Sequence, residues 1–213
     1  MTRLIFVRHG QSTANIDGYF AGHVNCSLTD TGLHQARLTA EYIASEFTPD
    51  KVYASDLERA FSTGKIIADK CDIEIIPDKG LREIYAGEWQ GSTFDQLTQK
   101  YKDEYDIWLK DIGNAATDGG ESVRELFTRI EETIHKIAKE NDGKTLVIAT
   151  HATPIRVIMC IAQGLPVSKM NTVPWVSNAS VTTVDYENGK LKLVESDYHN
   201  HLGNMKSTFP SNV

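Results

Sequence analysis

Apolar and polar positions along the chain follow two alternating periods. Leu4, Ile5, Phe6 and Val7 form a short unbroken apolar run ended by Arg8-His9-Gly10, which predicts a buried strand stopping at a polar turn. From Thr29 to Phe47, Leu33, Ala36, Ala40, Ile43 and Ala44 recur at helical spacing, and Pro49 lies just beyond. Val52-Tyr53-Ala54 predicts a short strand, Leu57 to Lys70 a helix, and Ile73 to Ile76 another strand. The polar, aromatic stretch Phe94 to Lys110 predicts a helix, and Gly113 to Gly120 a loop. Glu121 to Glu140 carries Val123, Leu126, Phe127, Ile130, Ile134 and Ile137 on one helical face. Thr145 to Ala149 is strand-prone, and Thr150-His151-Ala152-Thr153-Pro154 opens a helix with proline in its first turn. Val181 to Tyr186 and Leu191 to Ser196 alternate, with Asn188-Gly189 between them as a hairpin signal.

Strands alternating with helices predict a three-layer α/β/α sandwich with a mostly parallel mixed sheet, plus an antiparallel hairpin near the end. No repeat, low-complexity stretch or linker interrupts the pattern, so residues 1–213 read as one domain. A chain of 213 residues, 40% hydrophobic, can bury a core without staples. Cys26, Cys71 and Cys160 show neither CxxC nor Cys/His ligand spacing, which argues against a disulfide frame or structural zinc and for a reduced compartment. The first apolar run is too short for a signal or a membrane span, and Ile155 to Ala162 is short and interrupted by Arg156. The expectation is a cytoplasmic protein with no membrane partner. A net charge of -7 argues against a nucleic-acid partner but leaves room for a small phosphorylated substrate in a locally basic pocket. Association into a homodimer stays open.

Ligands of open α/β sheets gather outside the carboxyl ends of strands. Arg8 and His9 follow the first predicted strand, Asp56 and Arg59 the second, and His151 the strand ending at Ala149. Two guanidiniums and two imidazoles on one rim would suit a phosphoryl dianion. Other motifs fall short. Gly10-Gln11-Ser12-Thr13-Ala14 lacks the final glycine of a nucleophile elbow. No cysteine is followed six residues later by arginine, Gly64-Lys65-Ile66 is not a P-loop, and there is no H-E-x-x-H.

Arg8-His9-Gly10-Gln11-Ser12-Thr13-Ala14-Asn15 resembles the RHGxSxxN motif of the histidine phosphatase (phosphoglycerate mutase-like) superfamily. Gly18 to Gly22 with Ser27 to Gly32 resembles the loop that follows, and Ser55-Asp56-Leu57-Glu58-Arg59-Ala60 the segment carrying the second arginine. Leu81-Arg82-Glu83-Ile84 through Gly87-Glu88-Trp89-Gln90-Gly91 resembles the segment with the acid, and Thr150-His151 the second histidine. The resemblance implies a phosphoglycerate mutase-like fold and phosphoryl transfer through a phosphohistidine on His9, with no metal and no cofactor. Arg8, Arg59, His151 and Asn15 would bind the phosphoryl oxygens. Glu83 would protonate the leaving alkoxide and later activate water, a role favoured by a raised pKa. Ser12, Tyr19, Phe20, Ala21 and Gly22 would border the substrate. His23, His34, His135, His199 and His201 have no such support and read as surface or structural.

Between phosphatase and mutase, the region around 92–120 bears on the choice. This insertion, expected to cover the substrate, holds lysines but neither the Arg-Arg nor the Pro-Pro stretch of cofactor-dependent phosphoglycerate mutases. It is acidic and aromatic instead, which favours the broad phosphatase branch and a histidine acid phosphatase-type hydrolysis of phosphate monoesters; a phosphoglycerate mutase-type phosphomutase is the alternative. Ala152 departs from the glycine usual after the second histidine.

Overall fold

A computed structural model describes residues 1–207. In chain order the elements are β1 (Thr2–Arg8), α1 (Thr13–Asp17), α2 (Asp30–Glu46), β2 (Lys51–Ala54), α3 (Glu58–Cys71) and β3 (Ile75–Pro77). Then come α4 (Phe94–Lys100), α5 (Lys102–Lys110), α6 (Val123–Glu140), β4 (Thr145–Thr150), α7 (Ala152–Ala162), β5 (Val181–Glu187) and β6 (Lys190–Tyr198). The strands form one sheet in the order β3-β2-β4-β1-β5-β6. The first four run parallel; on β1's other side β5 pairs antiparallel to it and β6 antiparallel to β5, as the alternating pattern and the hairpin predicted.

The strand period of two sorts the core into two faces. Leu4 and Phe6 join Leu146, Ile148 and Val184 in a cluster sealed by Leu126, Ile130 and Ile134 of α6 and Ile155 and Ile158 of α7. Ile5 and Val7 point the other way and meet Val52, Val147 and Val181 beneath Ala40 and Ile43 of α2 and Ile67 of α3. Both faces of β1 are therefore covered, which explains its unbroken apolar run. The helices on these faces begin at hydroxyl caps: Thr29 accepts the Gly32 N–H, and Ser122 exchanges bonds with Glu125 in a capping box. Asn188 and Gly189 take φ of 51° and 78°, the left-handed pair a tight hairpin needs.

Three elements differ from the pattern. Phe94 to Lys110 is two helices, broken at Tyr101 (φ -125°, ψ 39°). The break lets Tyr101 from one side and Tyr105 and Trp108 from the other gather around fully buried Trp89. The third strand starts at Ile75 rather than Ile73, because Asp72 caps α3 in a left-handed conformation (φ 56°) and Ile73 N–H still bonds Ala68. The short helix α1 has no apolar periodicity to announce it. No described helix is long and apolar enough to cross a membrane.

α2 begins directly against the chain that follows β1, and two glycines allow it. A Cβ on Gly32 would lie 2.0 Å from the Gln11 carbonyl oxygen, and one on Gly10 would lie 2.4 Å from that of Gly32. Gly32→Ala is expected to cost about 1–3 kcal/mol in chemical denaturation, the scale of overpacking at a backbone contact. Unchanged stability would show that this approach is loose.

Candidate active site

Three adjacent strands end at one rim. Arg8 is level with Thr150 in the β1–β4 ladder, and β2 stops at Ala54 level with Ala149. The ladder runs on past the strands: His9 N–H donates to the Thr150 carbonyl at 3.0 Å and Ser55 N–H to that of Ala149 at 2.9 Å. Side chains from residues 8–9, 55–59 and 151 are thus delivered side by side. The His9 and His151 rings lie 5.3 Å apart, edge to face, and Arg59 Nε donates to His9 Nε2 at 3.3 Å.

The hydrogen bonds assign the tautomers. His9 Nδ1 lies 2.8 Å from the Gly10 carbonyl oxygen, which can only accept, so Nδ1 carries the hydrogen and Nε2 the lone pair. The Arg59 contact agrees, because a guanidinium can only donate. His151 Nε2 lies 2.8 Å from Ser55 Oγ, which already accepts the Leu57 N–H at 3.3 Å. The Ser55 hydroxyl hydrogen is then available to Nε2. That leaves the hydrogen on His151 Nδ1, a buried atom without a hydrogen-bond partner among the described residues. Both rings are held well below the ordinary imidazole pKa, first by burial and then by the neighbouring Arg59 charge. Two neutral imidazoles, one a base and one a donor, result.

The cations are buried with them. Arg59 is 2% exposed; its guanidinium donates to the carbonyls of Gly22 at 2.9 Å and Val24 at 3.1 Å and touches Cys26 Sγ. The loop between α1 and α2 therefore wraps a charged group with carbonyl dipoles. Arg8 Nη1 donates to the Val176 carbonyl at 2.6 Å, and burial lowers its pKa to about 9, opposed by the charges of Glu83 and Asp197. It remains a cation at neutral pH. Asn15 Oδ1 accepts from Ser12 N–H, Ser12 Oγ and Asn178 Nδ2, so its amide NH2 is the end left for a ligand.

Glu83 approaches from the segment after β3. Its Oε1 accepts the Ile84 N–H at 2.9 Å, and Thr153 N–H lies 3.5 Å from Oε2. Arg129 of α6 holds this segment by donating to the carbonyls of Gly80, Arg82 and Glu83 while pairing with both oxygens of Glu121. His23 Nε2 adds a 2.8 Å bond to the Glu83 carbonyl, so this ring has a structural part.

Together these groups border a cleft of about 540 Å³ that includes Arg8, His9, Asn15, Arg59 and Glu83. Ser12, Tyr19, Phe20, Ala21 and Gly22 also line it, and Ala152, in the first turn of α7, sits there without strain. Ser12 Oγ is engaged with Asn15 rather than an imidazole, so it has no base to activate it. Asp56 is drawn away from the rim into a bidentate pair with Arg82, both bonds 2.6 Å. From the 92–120 region, Phe94 and Trp108 reach the cleft, while Tyr105 packs behind on Trp89. Sequence reasoning missed Thr153, Trp175, Val176 and Asn178. Trp175 and Val176 lie in an irregular stretch with no motif, and only the chain's return toward β5 brings them here. Ser55 stood within a quoted motif, and its role became visible only through His151. Among the described residues no group of three His, Cys, Asp or Glu side chains is placed to hold a metal ion.

A sequence model of the histidine phosphatase superfamily (branch 1) matches residues 4–198. Phosphoserine phosphatase 1 of Hydrogenobacter thermophilus is 28% identical over 203 residues, 95% of each chain. A metal-independent phosphoserine phosphatase of Arabidopsis thaliana is 31% identical over 89% of this chain and 79% of its own. Among solved structures, YhfR of Bacillus stearothermophilus superposes with a TM-score of 0.90 at 25% identity, over 95% of this chain and 100% of that one.

Neutral buried histidines carry a pH signature. Below about pH 6.5 the unfolded chain binds protons that folded His9 and His151 refuse, so stability falls as pH drops. His23 and His201, also lowered by burial, act in the same direction. Denaturation between pH 7.5 and 5 is expected to show this fall, with His9→Gln shallower by up to about 1.4 kcal/mol per pH unit. Identical slopes in variant and wild type would mean that His9 takes up its proton in the folded state.

Proposed function

The chain belongs to the histidine phosphatase superfamily (branch 1), and we propose that it is a metal-independent phosphatase hydrolysing phosphate monoesters through a phosphohistidine on His9. The observation that carries the reading is the His9 tautomer. Nδ1 is committed to Gly10, burial and Arg59 keep the ring neutral, and Nε2 offers its lone pair where two guanidiniums converge. A nucleophile normally needs a base to remove its proton; this one is already deprotonated at the attacking atom.

In the first half-reaction His9 Nε2 forms a bond to phosphorus as the ester P–O bond breaks, and Glu83 donates its proton to the leaving oxygen. In the second, Glu83 takes a proton from water as the water oxygen bonds phosphorus and the N–P bond breaks, returning His9 neutral and releasing phosphate. Arg8, Arg59, the His151 Nδ1–H and the Asn15 amide would hold the non-bridging oxygens, where charge is concentrated in the transition state. Two permanent cations supply the positive charge, which is the chemistry of the histidine acid phosphatase type without a metal.

The leaving group meets a different surface. The cations of the cleft are Arg8 and Arg59, both at the phosphoryl end, and the remainder is walled by Tyr19, Phe20, Phe94, Trp108 and Trp175. A carboxylate-bearing alcohol, such as that of phosphoserine or phosphoglycerate, would find no third cation among the described residues lining the cleft. This favours apolar or aromatic monoesters, and hydrolysis over a mutase cycle. The net charge of -7 fits a small phosphorylated substrate rather than nucleic acid, and the unpaired cysteines fit work in the cytoplasm. The residues given roles here all lie on one chain, so a homodimer would not be needed to bring them together.

His9→Ala should abolish phosphate release and the acid-labile phosphoenzyme trapped by rapid quench, and chelator should leave the wild-type rate unchanged. Full chelator sensitivity, or fast interconversion of 2- and 3-phosphoglycerate with little phosphate release, would refute the reading. Glu83→Gln should lower kcat/KM, which reads only the first half-reaction, about 10²–10⁴-fold on alkyl phosphates and much less on 4-nitrophenyl phosphate, whose leaving group needs no proton. Equal losses on both esters would remove Glu83 from the acid role.

A further inference from the structure

Arg156 of α7 lies outside the site described above and is 4% exposed, yet no carboxylate is among its hydrogen-bond partners. Its Nε and Nη2 donate to the Val173 carbonyl at 3.0 and 2.8 Å, and Nη2 also to that of Met170 at 2.9 Å. The guanidinium carbon sits 4.0 Å from the centre of the Trp175 ring. Burial lowers its pKa to about 10, so it stays charged at neutral pH.

What it touches is the end of a 3₁₀ helix (Val167–Thr172) between α7 and β5 and the irregular chain after it; the Met170 carbonyl also accepts the Val173 N–H at 3.1 Å. Trp175 on that stretch walls the cleft with Trp108, 6.3 Å away. Behind the two rings lies a second cavity, also lined by Arg156. The chain beyond Val176 is anchored separately. Ser177 N–H bonds Asp197, Asn178 Nδ2 bonds the His9 carbonyl at 3.1 Å, and Ala179 N–H bonds that of Arg8 at 3.0 Å.

We propose that Arg156 is a positioning residue for leaving-group specificity: its fork on Met170 and Val173 and its stacking on Trp175 hold that ring as the wall of the cleft. The inference rests on the phosphatase reading for its meaning, because the wall faces the group that leaves. Lysine would keep the charge but lose both the planar fork and the stacking. Since 177–179 is tied down independently and Arg8 holds the Val176 carbonyl from the other side, losing Arg156 loosens the ring more than the phosphoryl end.

The test compares wild type, Arg156→Met, Arg156→Lys, Trp175→Ala and the double variants on 1-naphthyl phosphate, which reaches the wall, and methyl phosphate, which does not. Both Arg156 variants should raise KM for the naphthyl ester about tenfold, with methyl phosphate and inhibition by inorganic phosphate changed less than about threefold. Adding an Arg156 change to Trp175→Ala should cause no further loss. Parallel losses on both esters, or additive losses in the double variants, would overturn the proposal. If Arg156→Met does not fold, the lysine cycle decides alone. Calorimetric binding of 1-naphthylphosphonate separates the two readings: a wild type that binds it but turns over neither ester sinks the phosphatase, while a tenfold weaker Arg156 variant still supports the positioning role.

Discussion

Arg59 carries a permanent charge into a position 2% exposed, and its partners are two carbonyls, a thiol and the lone pair of His9. Water would solvate such a group far better than an apolar interior, so its surroundings must supply dipoles in its place. The loop from Gly18 to Asn25 does this by turning the carbonyls of Gly22 and Val24 inward. Gly22 takes a positive φ of 50° to do so, and a Cβ there would lie 2.6 Å from Gln90 Oε1. The same buried charge helps keep His9 and His151 neutral. Loop shape and imidazole protonation are thus two consequences of one desolvated cation.

The site divides into an end rich in positive charge and a wall without it. Strand ends provide the first, where ladder bonds fix backbone positions tightly and the rigid sheet holds the imidazoles at 5.3 Å. Helices and irregular chain share the second: Phe94 of α4 and Trp108 of α5 stand with Tyr19, Phe20 and Trp175 from the connecting segments, beside the segment bearing Glu83. Two of the connecting segments are fastened by arginines outside the positively charged end: Arg129 on the carbonyls of residues 80, 82 and 83, and Arg156 on those of 170 and 173. A guanidinium suits this task because its fork reaches several carbonyls at fixed angles. Carbonyls that lack a strand partner are satisfied, and chain with no more than a 3₁₀ turn is held in place.

Much of this could be read from residue order. The run Leu4 to Val7, the α6 stripe and the Asn188-Gly189 turn are local patterns, and each became the expected element because local period and tertiary burial agree there. The break at Tyr101 was not legible, since neither proline nor glycine marks it; it goes with the packing of Tyr101, Tyr105 and Trp108 around Trp89. The rim residues Arg8, His9, Arg59 and His151 were legible as side-chain types following strands. Asp56 was equally placed by that rule, yet Arg82, 26 residues further on, removes it.

The sequence by itself determined the chemistry available, two guanidiniums and two imidazoles at strand ends and a carboxyl in a recognisable segment, because side-chain identity and strand period are local properties. Tertiary structure alone decided which nitrogen of each histidine holds its hydrogen, through a backbone carbonyl at Gly10 and a hydroxyl 96 residues from His151. It also decided that Val176 and Trp175, nearly 170 residues from Arg8, complete the site. The physical reason is that carbonyls carry no residue signature and close approach between distant segments leaves no period in the chain. Such partners exist only once the sheet has brought its ends together.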